Sequence, residues 1–83
     1  MKGETEELVC IIHSHPPSKV TWYKNNELIT SKTPNVLLNH AHNRHSLTLL
    51  AMTKDMLGDY KCTAKNKFGT TKKSIKVSGN AYV

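Results

Sequence analysis

Apolar and polar residues alternate along most of this chain with a period of two, in short runs broken by turn formers, which is the pattern of half-buried strands rather than of helices. Leu8, Cys10 and Ile12 fall on one side of an extended segment and Val9, Ile11 and His13 on the other, predicting a first strand over 6–13. The segment His15-Pro16-Pro17-Ser18 interrupts it as a loop. Val20 and Trp22 then point inward while Thr21 and Tyr23 point out, and Asn25-Asn26 reads as a tight turn because Asn tolerates positive φ. A short return strand starts at 27–29, another strand covers 36–38, and the polar stretch 39–43 reads as a turn. Beyond it Leu47 and Leu49 face the core and Met52 closes it from the next bend. Tyr60, Cys62 and Ala64 share the inner face of a further strand. Asn66-Lys67-Phe68-Gly69 makes a hairpin to a last strand that turns Ile75 and Val77 inward. The class is all-β, with no internal repeat and no low-complexity segment.

Particular residues narrow that class. Cys10, the Pro16-Pro17 loop, Val20-Thr21-Trp22-Tyr23-Lys24, Leu47-Thr48-Leu49, Gly58-Asp59-Tyr60-Lys61-Cys62 and Ala64-Lys65-Asn66-Lys67-Phe68-Gly69 stand in an order and spacing that resembles the I-set domains of the immunoglobulin superfamily. The resemblance covers nearly the whole chain. It implies a two-sheet antiparallel sandwich in which Trp22, Leu47, Leu49, Gly58 and Tyr60 form the core signature. It also implies a disulfide between Cys10 and Cys62 packed against Trp22, and a Tyr60 hydroxyl donating to backbone near Met56. Within the family, the ending Gly-Asp-Tyr-Lys-Cys-Thr-Ala-Lys-Asn-Lys-Phe-Gly is similar to the membrane-proximal domains of neural adhesion proteins of the lachesin and IgLON groups. Giant muscle and cytoskeletal proteins carry similar modules.

Two departures from the family pattern stand out. Met56 occupies the position two before the glycine where an acidic residue is usual, and Asp55 sits one step early. Nine residues precede Cys10, so the strand that normally comes first is expected to be missing or truncated, leaving an open sheet edge. The expected organisation is one domain over 1–78 followed by a linker at 79–83, since such domains join end to end. Met1 is read as the start of an excised module, because no charged-then-apolar signal precedes the first strand.

Eighty-three residues bury a marginal core, and a bridge closing the Cys10–Cys62 loop would stabilise it by roughly 4 kcal/mol. Two cysteines in a small β-rich chain favour an oxidising, extracellular or cell-surface setting; buried thiols in a cytoplasmic, cytoskeletal relative are the alternative. No apolar run approaches the length of a membrane span, so no membrane insertion is expected, and no Asn-x-Ser/Thr sequon occurs.

Charge adds a direction. Twelve Lys and Arg against six Asp and Glu give a net charge of +6, which favours acidic partners. Alternation places Lys61, Lys65, Lys72 and Lys76 with Tyr23 on one outer sheet face, a surface for an acidic protein such as actin or for a sulfated glycan. The competing explanation is a solvated face whose lysines discourage aggregation. Nucleic acid is not expected as a partner, because Tyr23 and Phe68 are too few stacking aromatics. His13 with His15, and His40, His42 and His45, gather at one pole in His-x-His spacing compatible with zinc or copper. With no accompanying carboxylate or thiolate, they are expected to be surface histidines, with no metal and no cofactor. Val9, Ile11 and Leu50 face outward on the opposite sheet as a candidate contact for a neighbouring domain or a second copy. No glycine-flanked nucleophile or paired-carboxylate arrangement supports an enzyme. The resulting expectation is a non-catalytic module of a larger protein, for protein recognition or as a spacer in cell adhesion. The alternative is an intracellular structural module of a muscle or cytoskeletal protein.

Overall fold

The computed structural model describes residues 5–77. Seven strands run in the order β1 (Glu6–Ile11), β2 (Lys19–Lys24), β3 (Glu27–Ile29), β4 (Val36–Ala41), β5 (Arg44–Leu49), β6 (Gly58–Asn66) and β7 (Gly69–Val77), with one 3₁₀ turn at Lys54–Met56. They form two antiparallel sheets, β1-β5-β4 and β3-β2-β6-β7. The alternation read from the sequence gives each sheet its inner face. Leu8 and Cys10, Leu47 and Leu49, Trp22, Ile29, Tyr60, Cys62, Ala64 and Val77 are all buried between the layers, with Met52 and Met56 sealing one end. Cys10 and Cys62 are disulfide-bonded across the two sheets with a Cα–Cα separation of 6.5 Å, and Trp22 lies directly opposite Cys62 in the β2–β6 ladder.

Two boundaries differ from the sequence reading. The first strand's ladder ends at Ile11, opposite Arg44, rather than at position 13; one further backbone bond, from the Ile12 N–H to the Asn43 carbonyl at 2.8 Å, follows before the partner segment enters the His42-Asn43 turn. The polar stretch 39–43 is mostly strand, and only His42-Asn43 turn. Antiparallel pairing of Asn39 with Ser46, His40 with His45 and Ala41 with Arg44 satisfies the backbone there regardless of side-chain polarity.

Register divides the molecule into two poles. At one lie the β2–β3 turn, the 3₁₀ turn and the start of β6. At the other lie the β1–β2 loop and the β4–β5 and β6–β7 hairpins. At the first pole Asn25 and Asn26 both have positive φ, +47° and +70°, as a two-residue hairpin of this hand requires. Asn25 closes onto β6: its N–H donates to the Asp59 carbonyl at 2.8 Å and its Oδ1 accepts from the Asp59 N–H at 3.0 Å. Gly58 is held at φ +146°, and a Cβ there would lie 2.9 Å from the Asn25 side chain, so this position has room only for glycine. The Tyr60 hydroxyl donates to the Met56 carbonyl at 2.5 Å. Met56 fills core space, while Asp55 faces solvent and accepts from the Thr53 hydroxyl at 2.9 Å. The Lys24 ammonium donates to the Asp55 backbone carbonyl rather than entering a buried ion pair.

Among the described residues no strand precedes β1, and β7 pairs with β6 alone. Thr71 and Lys73 on its inner side are correspondingly exposed. The expected linker at 79–83 lies outside the described residues.

Candidate functional site: a basic sheet face

The outer face of β3-β2-β6-β7 is assembled by three registers. Residues directly opposite in a ladder point to the same side, so Trp22 paired with Cys62 marks the inner face and every odd-numbered residue of β2 and β6 points out. On β2 these are Lys19, Thr21 and Tyr23; on β6 they are Asp59, Lys61, Thr63 and Lys65. Opposite Asp59, Lys61, Thr63 and Lys65, β7 presents Lys76, Ser74, Lys72 and Thr70.

The face therefore carries Tyr23, Lys61, Lys65, Lys72 and Lys76 together, and adds Lys19, which the sequence reading missed. Counting outward positions back from Trp22 would have reached Lys19, but the Pro16-Pro17 loop concealed where β2 begins. Lys19 stands directly opposite Lys65. Like charges across a ladder oppose each other, so this corner concentrates uncompensated positive charge. Lys76 is different, since its opposite residue is Asp59. The uncompensated charge is thus concentrated on Lys19, Lys65, Lys61 and Lys72, toward the pole of the β6–β7 hairpin. Among the described residues the ion pair is Arg44 with Glu7, at 3.0 Å, on the other sheet.

Beside the lysines lies apolar surface. Tyr23 pairs with Leu28, whose side chain is 58% exposed. A shallow depression of about 210 Å³ is lined by Tyr23, Asn26, Lys61, Thr63 and Lys72. Lysines around an aromatic and an aliphatic side chain can hold carboxylates at the rim and a hydrophobic side chain at the centre, as protein interfaces do. The face offers no nucleophile with a base and no paired carboxylates.

The other candidates lie elsewhere. On the opposite sheet Ile11 and Leu50 are exposed and Val9 is half-buried. The five histidines divide. His40 and His45 are stacked, with ring centroids 5.5 Å apart and planes 8° from parallel. The His13 ring is hydrogen-bonded with the Asn43 side-chain amide at 3.1 Å, and His15 sits on the exposed β1–β2 loop. Burial and the neighbouring His40 hold the His45 imidazole below its ordinary pKa.

Two packed antiparallel sheets closed by a cross-sheet disulfide and a tyrosine corner define an immunoglobulin-like sandwich, a non-catalytic fold. The chain belongs to the immunoglobulin I-set domain family, whose model matches residues 1–78. It is 35% identical over 77 residues to myopalladin from Mus musculus, a match covering 92% of this chain and 6% of that protein. It is 26% identical over 77 residues to the muscle M-line assembly protein unc-89 of Caenorhabditis elegans, covering 93% of this chain and 1% of that protein. The chain thus spans a small fraction of the curated relatives it matches. Among solved structures, it superposes on an immunoglobulin domain from the titin M10–obscurin-like 1 complex with a TM-score of 0.86 and 26% identity, over 93% of this chain and 78% of that one.

Proposed function

We propose that this chain is a non-catalytic recognition module of a larger muscle or cytoskeletal protein, binding an acidic protein such as filamentous actin through the lysine face. The observation that carries the reading is the concentration of Lys19, Lys61, Lys65 and Lys72 around Tyr23 and Leu28, on a face where, among the described residues, Asp59 alone brings a carboxylate. Relatives supply the setting: they are mostly muscle and cytoskeletal proteins, and domains of this family occur in complexes with protein partners. That setting supports the intracellular alternative over cell adhesion, and neither the narrower likeness to lachesin and IgLON domains nor a sulfated-glycan partner gains support from them.

One observation favours a second reading. The Cys10–Cys62 disulfide suits an oxidising compartment and hence an adhesion or spacer module at the cell surface. Two buried thiols are also small apolar groups that fill the same core space, so the fold is compatible with either redox state. Mass measurement after native isolation under non-reducing conditions separates the two.

The binding reading is tested by co-sedimentation with filamentous actin at low and high ionic strength. The expected result is salt-sensitive binding that falls at least about tenfold when Lys19, Lys61, Lys65 and Lys72 become Gln together, while the same change at Lys32, Lys54, Lys67 and Lys73 has a smaller effect. Equal loss in both variants would assign the binding to net charge and sink the face.

A further inference from the structure

In the middle of β7 a hydroxyl is set among lysines. Along Lys72-Lys73-Ser74-Ile75-Lys76, the serine has lysines two and one positions before it and two after, with an apolar residue beside it. Basic residues on both sides of a serine are a charge pattern by which protein kinases select substrates. Thr63 has similar spacing, with Lys61 before and Lys65 after, but it is half-buried on β6, between β2 and β7. Ser74 is exposed, as is every residue of β7 from Gly69 onward to it. Among the described residues β7 pairs with β6 alone, so the segment presented is extended and lies at a sheet edge.

We infer that Ser74 is a phosphorylation site for a basophilic serine/threonine kinase, placed so that its phosphate lies among the lysines of the basic face. Ser74 stands directly opposite Lys61, and Lys72 and Lys76 flank it on the same side of β7. Cβ atoms of ladder partners lie ~4.5–5.5 Å apart and same-side residues along a strand ~7 Å apart, within reach of flexible ammonium side chains. A depression of about 510 Å³ beside the hydroxyl, bordered by Asn25, Asn26, Asp59 and Lys61, leaves room for the added group. Asp59, diagonal to Ser74, is the opposing charge, and it stands opposite Lys76. Three ammoniums against one carboxylate favour the phosphate dianion.

The Ser74 Oγ attacks the γ-phosphorus of MgATP, the bond to the β–γ bridging oxygen breaks, ADP leaves, and the hydroxyl proton passes to the kinase's carboxylate base. The product carries about −1.5 to −2 charge near pH 7 and three acceptor oxygens. It offsets about half of the charge on Lys19, Lys61, Lys65 and Lys72 and engages Lys61 and Lys72 from within the chain. A face open to an acidic protein becomes a face occupied by its own phosphate. The modification site stands on β7 alone, whereas its consequence for binding rests on the acidic-partner reading above.

Incubation of the full 83-residue chain with MgATP and the catalytic domain of protein kinase C, followed by mass mapping, tests the site. The expected result is one phosphate per chain at Ser74, lost in Ser74→Ala, with Thr63 unmodified. Phosphorus NMR titration of the product tests its surroundings: the second phosphate pKa should lie below the ordinary value of about 6 and rise toward it in Lys61→Gln. The phosphorylated chain should bind filamentous actin at least about tenfold more weakly than the unmodified chain. A folded chain left without phosphate at Ser74, or modified mainly elsewhere, would overturn the site. A second pKa of about 6 that Lys61→Gln does not move would overturn the placement among the lysines. Equal actin binding by the two forms would overturn the switch. An unmodified chain that fails to bind actin would instead remove the acidic-partner reading, with Ser74 still decided by the mapping and the phosphorus titration.

Discussion

The two poles of this sandwich are built from the same strands and behave in opposite ways. The tyrosine-corner pole is closed: Asn25 bonds twice to Asp59, the Tyr60 hydroxyl donates to Met56, and Met52 and Met56 cap the core. The histidine pole is open, with a cleft among titratable side chains and an exposed hairpin tip at Phe68, which is 74% exposed. A small core leaves its ends as the least stable parts of the fold, and here one end is held by hydrogen bonds and apolar packing while the other is not. The basic face runs between them, with Asp59 standing opposite Lys76 toward the closed pole and Lys19 opposite Lys65 toward the open one.

The largest expected effect lies at the closed pole. Gly58→Ala forces an L side chain to φ +146° and against Asn25, and should cost about 2–3 kcal/mol, the scale of a strained backbone conformation with a displaced neighbour. Urea unfolding measures it. A midpoint within error of the parent would show that this pole yields as readily as the open one, and the contrast would fail.

Tyr60→Phe should cost on the order of 1 kcal/mol, because it deletes one buried hydrogen bond and leaves the Met56 carbonyl without its donor. Alkaline titration sharpens the same point. Burial, reinforced by the charge of Asp55, pushes the Tyr60 phenol up to about 12 from 10.0. The folded state then holds more protons than the unfolded chain between those values, so stability should fall as pH rises from 10.0 through about 12, and Tyr60→Phe should lose that dependence.

The smallest effect belongs to the open pole and has the opposite sign in pH. The His45 imidazole is depressed below 6.5, first by burial and then by His40, so the unfolded chain binds more protons in that region. The stability this provides is present above pH 6.5 and lost as pH falls through the folded-state pKa. His45→Gln should flatten the acid side of the stability profile while changing stability little at neutral pH. An unchanged acid slope would remove His45 as its cause.

Which residues face inward is legible in the alternation alone. A period of two assigns Leu8, Cys10, Trp22, Leu47, Leu49, Tyr60, Cys62 and Val77 to one side of their strands because successive Cβ atoms must point in opposite directions. The Asn25-Asn26 turn is legible as well, since Asn tolerates the positive φ found there. Alternation names a side but never the neighbour across the ladder. That is why alternation puts Lys76 on the basic face without showing Asp59 opposite it, leaves Lys19 apart from Lys65, and groups the histidines by spacing although the stacked pair is His40 with His45. Those oppositions arise when the strands assemble into sheets. Register is set jointly by hairpin length and by long-range pairing, as when the two-residue turn at His42-Asn43 places position 40 against 45, and no local window of sequence contains both conditions.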